Sequence, residues 1–184
     1  MRKIMVLIFI ALLSFPVMAQ KMTKEERKAA KVAKKEAQAK ADGERAVVLQ
    51  QSIDDKQFVL EALFLADKRG QRIVVDPVLN FIGVNGDKSA FQFANGVDIG
   101  YNGVGGLTVE GKVANYQASI SKKGVHSIEF RISASIGSIF VSMTVSPTGQ
   151  ADATISGNTS TKLKYSGNLL PSSESRVYKG SSTY

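Results

Sequence analysis

Ile128-Glu129-Phe130-Arg131-Ile132-Ser133-Ala134-Ser135-Ile136 runs into Gly137 and continues as Ser138-Ile139-Phe140-Val141-Ser142-Met143-Thr144-Val145. In the first half Ile128, Phe130, Ile132, Ala134 and Ile136 alternate with Glu129, Arg131, Ser133 and Ser135. A period of two sends one set of side chains to a core and the other to water, as in a half-buried strand. Gly137 switches the parity, and Ile139, Val141, Met143 and Val145 carry it to the turn signal Pro147-Thr148-Gly149. Two adjoining strands that alternate in this way predict an antiparallel sheet.

Working outward, the same grammar recurs on both sides. Toward the C-terminus, Ala151, Ala153 and Ile155, then Leu163 and Tyr165, predict two shorter strands. The Ser-rich tail after Pro171 reads as partly ordered at best. Toward the N-terminus, Lys122-Lys123-Gly124 marks a turn, and Leu107, Val109, Gly111 and Val113 share one parity. Tyr116, Ala118 and Ile120 take the other, so a β-bulge is expected near Asn115. Gly100 to Gly106 is a glycine-dense loop and Asn95-Gly96 a turn. Asn85-Gly86-Asp87-Lys88 predicts a hairpin between Leu79–Val84 and Ala90–Ala94. Arg72 to Asp76 forms a further strand, with Pro77 marking an edge or a bend. Phe58 to Leu65 is the first strand of the series. The reading is an all-β fold with an N-terminal helix and eight to ten antiparallel strands. Closure into a barrel or a sandwich would remove exposed edges.

The chain before this sheet has a different character. Arg2 and Lys3, the uncharged apolar run Ile4 to Phe15, Pro16 and the small residues ending at Ala19 read as a secretory signal peptide over residues 1–19. The run is too short to span a membrane. A protein of the periplasm or cell envelope, or one released outside, is expected. The net charge of +8 then resolves into parts. Residues 20–45 carry nine basic and five acidic side chains, whereas residues 46–184 carry thirteen and eleven. Basicity therefore belongs to an Ala/Lys-rich helix expected over Met22 to Asp42, opened by a Thr23–Glu26 capping box, supported by a Glu36–Lys40 pair and stopped or kinked at Gly43. Ala46 to Ile53 reads as one or two further helical turns, ended by Asp54-Asp55. Lys24, Lys28, Lys31 and Lys35 share one face and could touch an anionic surface, although a solvated spacer is the favoured reading. No aromatic residue interleaves the lysines, which argues against nucleic acid.

Composition excludes several chemistries. The chain has no Cys, no Trp and one His, so disulfides, thiol catalysis and Cys or His-rich metal centres are out of reach. Gly106-Leu107-Thr108-Val109-Glu110-Gly111-Lys112 has the spacing of a phosphate loop, but Val113 stands where Ser or Thr must hold magnesium, and the interior is strand-forming. Ser119-Ile120-Ser121-Lys122 matches a Ser-x-x-Lys pattern on a strand rather than at a helix start. His126 reads as a surface residue at a turn's exit, without an orienting acid nearby in sequence. Asn158-Thr159-Ser160 is a formal glycosylation triplet, of little weight if the chain is bacterial. No catalytic constellation emerges, and no cofactor or metal is expected.

An ordered set of short pieces resembles one family. They are Phe58-Val59-Leu60-Glu61-Ala62, Leu79-Asn80-Phe81 with Gly86-Asp87, and Asn102-Gly103-Val104-Gly105-Gly106-Leu107-Thr108-Val109-Glu110-Gly111. Gly149-Gln150-Ala151, Tyr165-Ser166-Gly167 and Val177-Tyr178-Lys179-Gly180 complete it. On these the chain, over about residues 46–180, is similar to the domain of unknown function family numbered 4251, exported proteins of Gram-negative bacteria. The resemblance implies a small lipocalin-like β-rich fold and no assigned activity or catalytic residues. The functional expectation is non-enzymatic binding of a small apolar or amphipathic ligand inside the closed sheet, with Phe81, Phe91, Phe93, Phe130 and Phe140 as lining or core residues. The alternative is a structural or protein-interaction module tethered by the basic helix.

Overall fold

In the computed structural model, residues 23–94, 102–157 and 162–183 are described, so the signal segment, the Asn95-Gly96 turn and the Asn158 triplet lie outside the described residues. The first helix, α1, spans Lys24–Asp54. It begins as its capping box predicts: the Thr23 amide donates to Glu26 Oε2 at 2.8 Å, and the Glu26 amide donates to Thr23 Oγ1 at 3.2 Å. Two expectations are corrected here. Gly43 does not stop the helix, which continues through it to Asp54. An interior glycine costs a helix only about 1 kcal/mol, and the turns beyond it are anchored by Leu49 and Ile53, both buried in the core. The favourable pair falls one turn later than expected, between Lys40 and Glu44 at 4.0 Å. Lys56, with φ 55°, turns the chain out of the helix and into the first strand.

Gln38–Tyr184 forms one compact unit, and the described part of the preceding unit, Met1–Ala37, is the exposed, Lys-rich start of α1. Within the larger unit nine antiparallel strands follow the helix: β1 (Gln57–Ala66), β2 (Arg72–Val74), β3 (Phe81–Asn85), β4 (Lys88–Ala94), β5 (Gly106–Ile120), β6 (His126–Ala134), β7 (Gly137–Val145), β8 (Gln150–Ser156) and β9 (Lys162–Pro171). From β3 to β9 each pairs with its sequence neighbour, and β9 returns to pair with β1, which closes a barrel rather than a sandwich. β2 and β3 both pair antiparallel with β1, successively along its length. The Val75 amide still donates to Leu63 O, and the ladder resumes where the Ala62 amide donates to Asn80 O. Between them Asp76 accepts the Val78 amide through Oδ1 at 2.9 Å, so the bend at Pro77 interrupts a single stave. The barrel thus has eight staves, and no sheet edge is left where β1 meets β9.

Closure sets a local demand. Gly167 lies opposite Ala62 where β9 meets the bulge of β1, and a Cβ there would run into the Glu61 carbonyl. The bulge moves Leu63 off the alternation, so Phe58, Leu60 and Ala62 face inward and Leu65 takes the next inward place. The expected bulge in β5 is present as well: Asn115 has φ 52° and the register shifts between Ala114 and Gln117.

The β6–β7 alternation holds as read, with Ile128, Phe130, Ile132, Ile139, Val141, Met143 and Val145 all buried. Ile136 departs from it. Ala134 pairs with Gly137, so Ser135 and Ile136 form the hairpin tip, where the inward parity has no core to face. An eight-stranded barrel is just wide enough for side chains to fill it. Phe58, Leu60, Ile128, Phe130, Val141 and Tyr165 are fully buried in one continuous core. The C-terminal tail is also corrected: its described residues after Pro171 bond back to the barrel, the Tyr178 amide to Val78 O at 2.9 Å and the Thr183 amide to Thr108 O at 2.9 Å.

Candidate binding site

One end of the barrel is closed by the last turns of α1. Leu49 and Ile53 lie four residues apart, hence on one helix face, and both enter the core. The Tyr116 hydroxyl donates to the Ile53 carbonyl at 2.8 Å, which also accepts the Lys56 amide at 3.2 Å where the helix ends. Its ring lies between Phe58 and Phe130, with centroids at 6.5 and 6.2 Å, and the Lys56 ammonium sits 5.1 Å from its centre. Burial, reinforced by the negative charge of Asp54, pushes the Tyr116 phenol up to about 12.

His126 overturns its sequence reading. As the first residue of β6 it shares the inward parity of Ile128 and is only 3% exposed. Burial lowers its pKa below the usual imidazole range, and Asp54 partly opposes that shift. Its neighbours in space include residues of a helix some seventy positions upstream and of nearby turns, which a local reading of a turn exit does not reveal.

Around this closed end the surface is hollowed. One groove of about 380 Å³ runs between α1 and the end of β9, lined by the apolar Val47, Val48 and Pro171 and by the polar Gln51, Ser52, Asp55 and Gln57. A second, of about 300 Å³, lies on the other side of Val47 and is lined by Gln50, Ile120, His126 and Pro147. Val47 is 70% exposed, Val48 48% and Ile120 55%. Ile120 was expected to point inward. The β4 pairing ends at Lys112, so the outer end of β5 pairs only with β6 and projects beyond the core. A further hollow of about 240 Å³ on the barrel wall is polar, with Arg72 stacked on Phe64 at 3.6 Å and Asp152 already engaged by the Ser166 hydroxyl at 2.5 Å.

The five phenylalanines singled out from sequence do not line one cavity. Phe91 and Phe130 are buried inside the barrel, Phe91 against Tyr165 with centroids 5.7 Å apart. Phe93 is partly buried against the same core, toward the opposite end. Phe81 is buried, but on the outward parity of β3. Phe140 has the outward parity of β7, its ring 5.5 Å from the Arg131 guanidinium. None of them lines the grooves at the helix end. The grooves had a sequence signal that went unused. Val47, Val48 and Leu49 are consecutive in a helix, so at 100° per residue they cannot all face one core. Ser119 and Lys122, by contrast, fall on exposed β5 and in the β5–β6 turn.

Lys24, Lys28, Lys31 and Lys35 are all exposed on α1. Among the described residues no helix is long and apolar enough to cross a membrane, and no three acidic or histidine side chains are gathered to hold a metal ion.

Comparison with known proteins gives a consistent kinship. Residues 40–169 match the family described as Domain of unknown function (DUF4251). No curated protein matches the chain. A solved structure that it resembles is a DUF4251 family protein from Bacteroides eggerthii DSM 20697, with 33% sequence identity and a TM-score of 0.63, over 73% of this chain and 93% of that one.

Proposed function

The chain belongs to the DUF4251 family, and from the geometry of its helix-closed end we propose that it is an exported, non-catalytic protein that binds a small amphipathic ligand on the outside of its barrel. The observation that carries this reading is a contrast. The barrel interior is occupied by its own side chains, Phe58, Phe130 and Tyr165 among them, whereas the groove beside α1 is open and lined by both valine and proline and polar side chains. Its volume of about 380 Å³ falls in the range of small-molecule sites. An apolar portion would lie against Val47, Val48 and Pro171, and hydrogen-bonding groups would meet Gln51, Ser52 and Gln57. Export is supported by the charged start, apolar run and small-residue close of residues 1–19. The non-catalytic reading is supported by the composition, with no Cys and a single His.

Native mass spectrometry of protein purified from its source tests the proposal. A small-molecule adduct that a Val48→Asp variant no longer carries is expected. An unliganded protein, or an adduct that Val48→Asp retains in full, contradicts it.

A second reading, a module tethered through its basic helix, is favoured by one observation: the lysines at 24, 28, 31 and 35 are exposed on a helix that is properly capped at Thr23. Deletion of residues 21–42 would then change localisation or partners, and an unchanged distribution would count against it.

A further inference from the structure

Gln92 is fully buried, yet it sits on the outward parity of β4. All its hydrogen-bonding capacity is used. Its Nε2 donates to Leu79 O and to Tyr178 O, both at 2.9 Å, while its Oε1 accepts from Thr108 Oγ1 at 2.8 Å and from the Gly180 amide at 2.9 Å. Half of these partners belong to the C-terminal segment. That segment is held further by the Ser181 amide on Asn102 O at 3.0 Å, by the Thr183 amide on Thr108 O, and by the Ser175 hydroxyl and Arg176 amide on Glu61. If the segment left, the buried amide of Gln92 would lose one acceptor and one donor, and an unmade buried hydrogen bond is costly. This part of the barrel wall therefore calls for an extended peptide.

The contacts also select among peptides. Recognition runs mainly through main-chain groups, and the side chains of Arg176, Tyr178 and Lys179 are exposed. Gly180 is the buried exception. A Cβ there would run into the Asn102 carbonyl and come within 3.1 Å of the Val104 side chain. Lys179 Nζ lies 2.7 Å from Glu110 Oε1. The wall thus reads a basic residue followed by glycine.

We infer that the outer face of β4 and β5 is a peptide-recognition groove for an extended basic-Gly segment, filled by the chain's own C-terminus and open to the same segment from a second copy. The geometry of departure allows exchange. The segment leaves β9 through a turn closed by the Glu174 amide on Pro171 O at 2.9 Å, a short hinge of the kind through which identical elements are swapped. The tethered segment has a high effective concentration, so a peptide in trans enters when the resident one is barred.

The test uses the full chain with Gly180→Val, which bars its own segment and leaves the groove intact. Trypsin is expected to cut this variant after Arg176 and Lys179 while wild type resists at both positions. A labelled peptide of residues 172–184 is expected to bind the variant but not wild type, and the same peptide carrying Gly180→Val to bind about tenfold or more weakly. If the variant unfolds, Lys179→Glu carries the test: its segment is loosened through the Glu110 contact, and it must bind the peptide better than wild type does. Failure of the folded variant to bind, or equal binding of both peptides, overturns the inference.

Discussion

At the scale of single residues, burial depends on which side of the barrel wall a side chain occupies. Phe130 and Phe140 are both aromatic and ten positions apart in adjoining strands. Phe130→Ala should cost about 3–5 kcal/mol, as removal of a fully buried ring does. Phe140→Ala should cost about 1 kcal/mol or less, because its ring faces outward beside Arg131. Urea unfolding of the two variants checks this difference. His126 makes a second prediction. Its pKa is lowered on folding, so between the folded value and the usual value near 6.5 the unfolded chain binds more protons than the native one. Its contribution to stability is present in full above that window and is lost as pH falls through it. Urea midpoints from pH 7.5 downward should show a decline that His126→Leu flattens. A flat wild-type profile would contradict the burial of this imidazole. The alternation of β6 and β7 made Phe130 legible in the sequence. It could not make His126 legible, because the helix beside it is remote in the chain.

At the scale of elements, composition and periodicity reported strands better than ends. The hairpin at Asn85–Lys88 is legible because Gly86, with φ 63°, stands at the first central position of a two-residue turn. The helical turns of Ala46 to Ile53 and their end at Asp54 were legible, but their continuity with α1 through Gly43 was hidden, because a glycine reads as a stop while the anchoring of Leu49 and Ile53 is a tertiary fact. The same observation yields a prediction. Gly43 is helical and exposed, and a Cβ there meets open space, so Gly43→Ala should stabilise the helix by about 0.5–1 kcal/mol. Hydrogen exchange across residues 38–48 should slow accordingly, and unchanged exchange would show that the helix is interrupted there. The C-terminal segment escaped for a different reason. Its serines and exposed side chains describe a loose tail, but it is held by main-chain groups, which composition does not record.

For the whole molecule, the central relation is between a filled interior and a furnished exterior. An antiparallel meander of eight staves closes on itself through β1 and β9, and α1 seals one end. The sequence showed closed-sheet alternation but could not say whether the inward residues meet or leave a gap. That depends on how side-chain volumes combine across opposite staves. The inward phenylalanines Phe91 and Phe130, open in the sequence to a lining or a core role, lie packed in the core. The larger hollow lies where α1 meets the start of β1 and the end of β9, and the smaller where β5 and the hairpin turns outrun the core beside α1. The most direct test is amide chemical-shift mapping during titration with an amphipathic probe such as a short-chain detergent below its micelle concentration. Shifts are predicted at Val47, Val48, Gln51 and Ser173, with the amides of Phe91, Phe130 and Val141 unmoved. Shifts centred on those interior strands, with the α1 groove silent, would contradict the account.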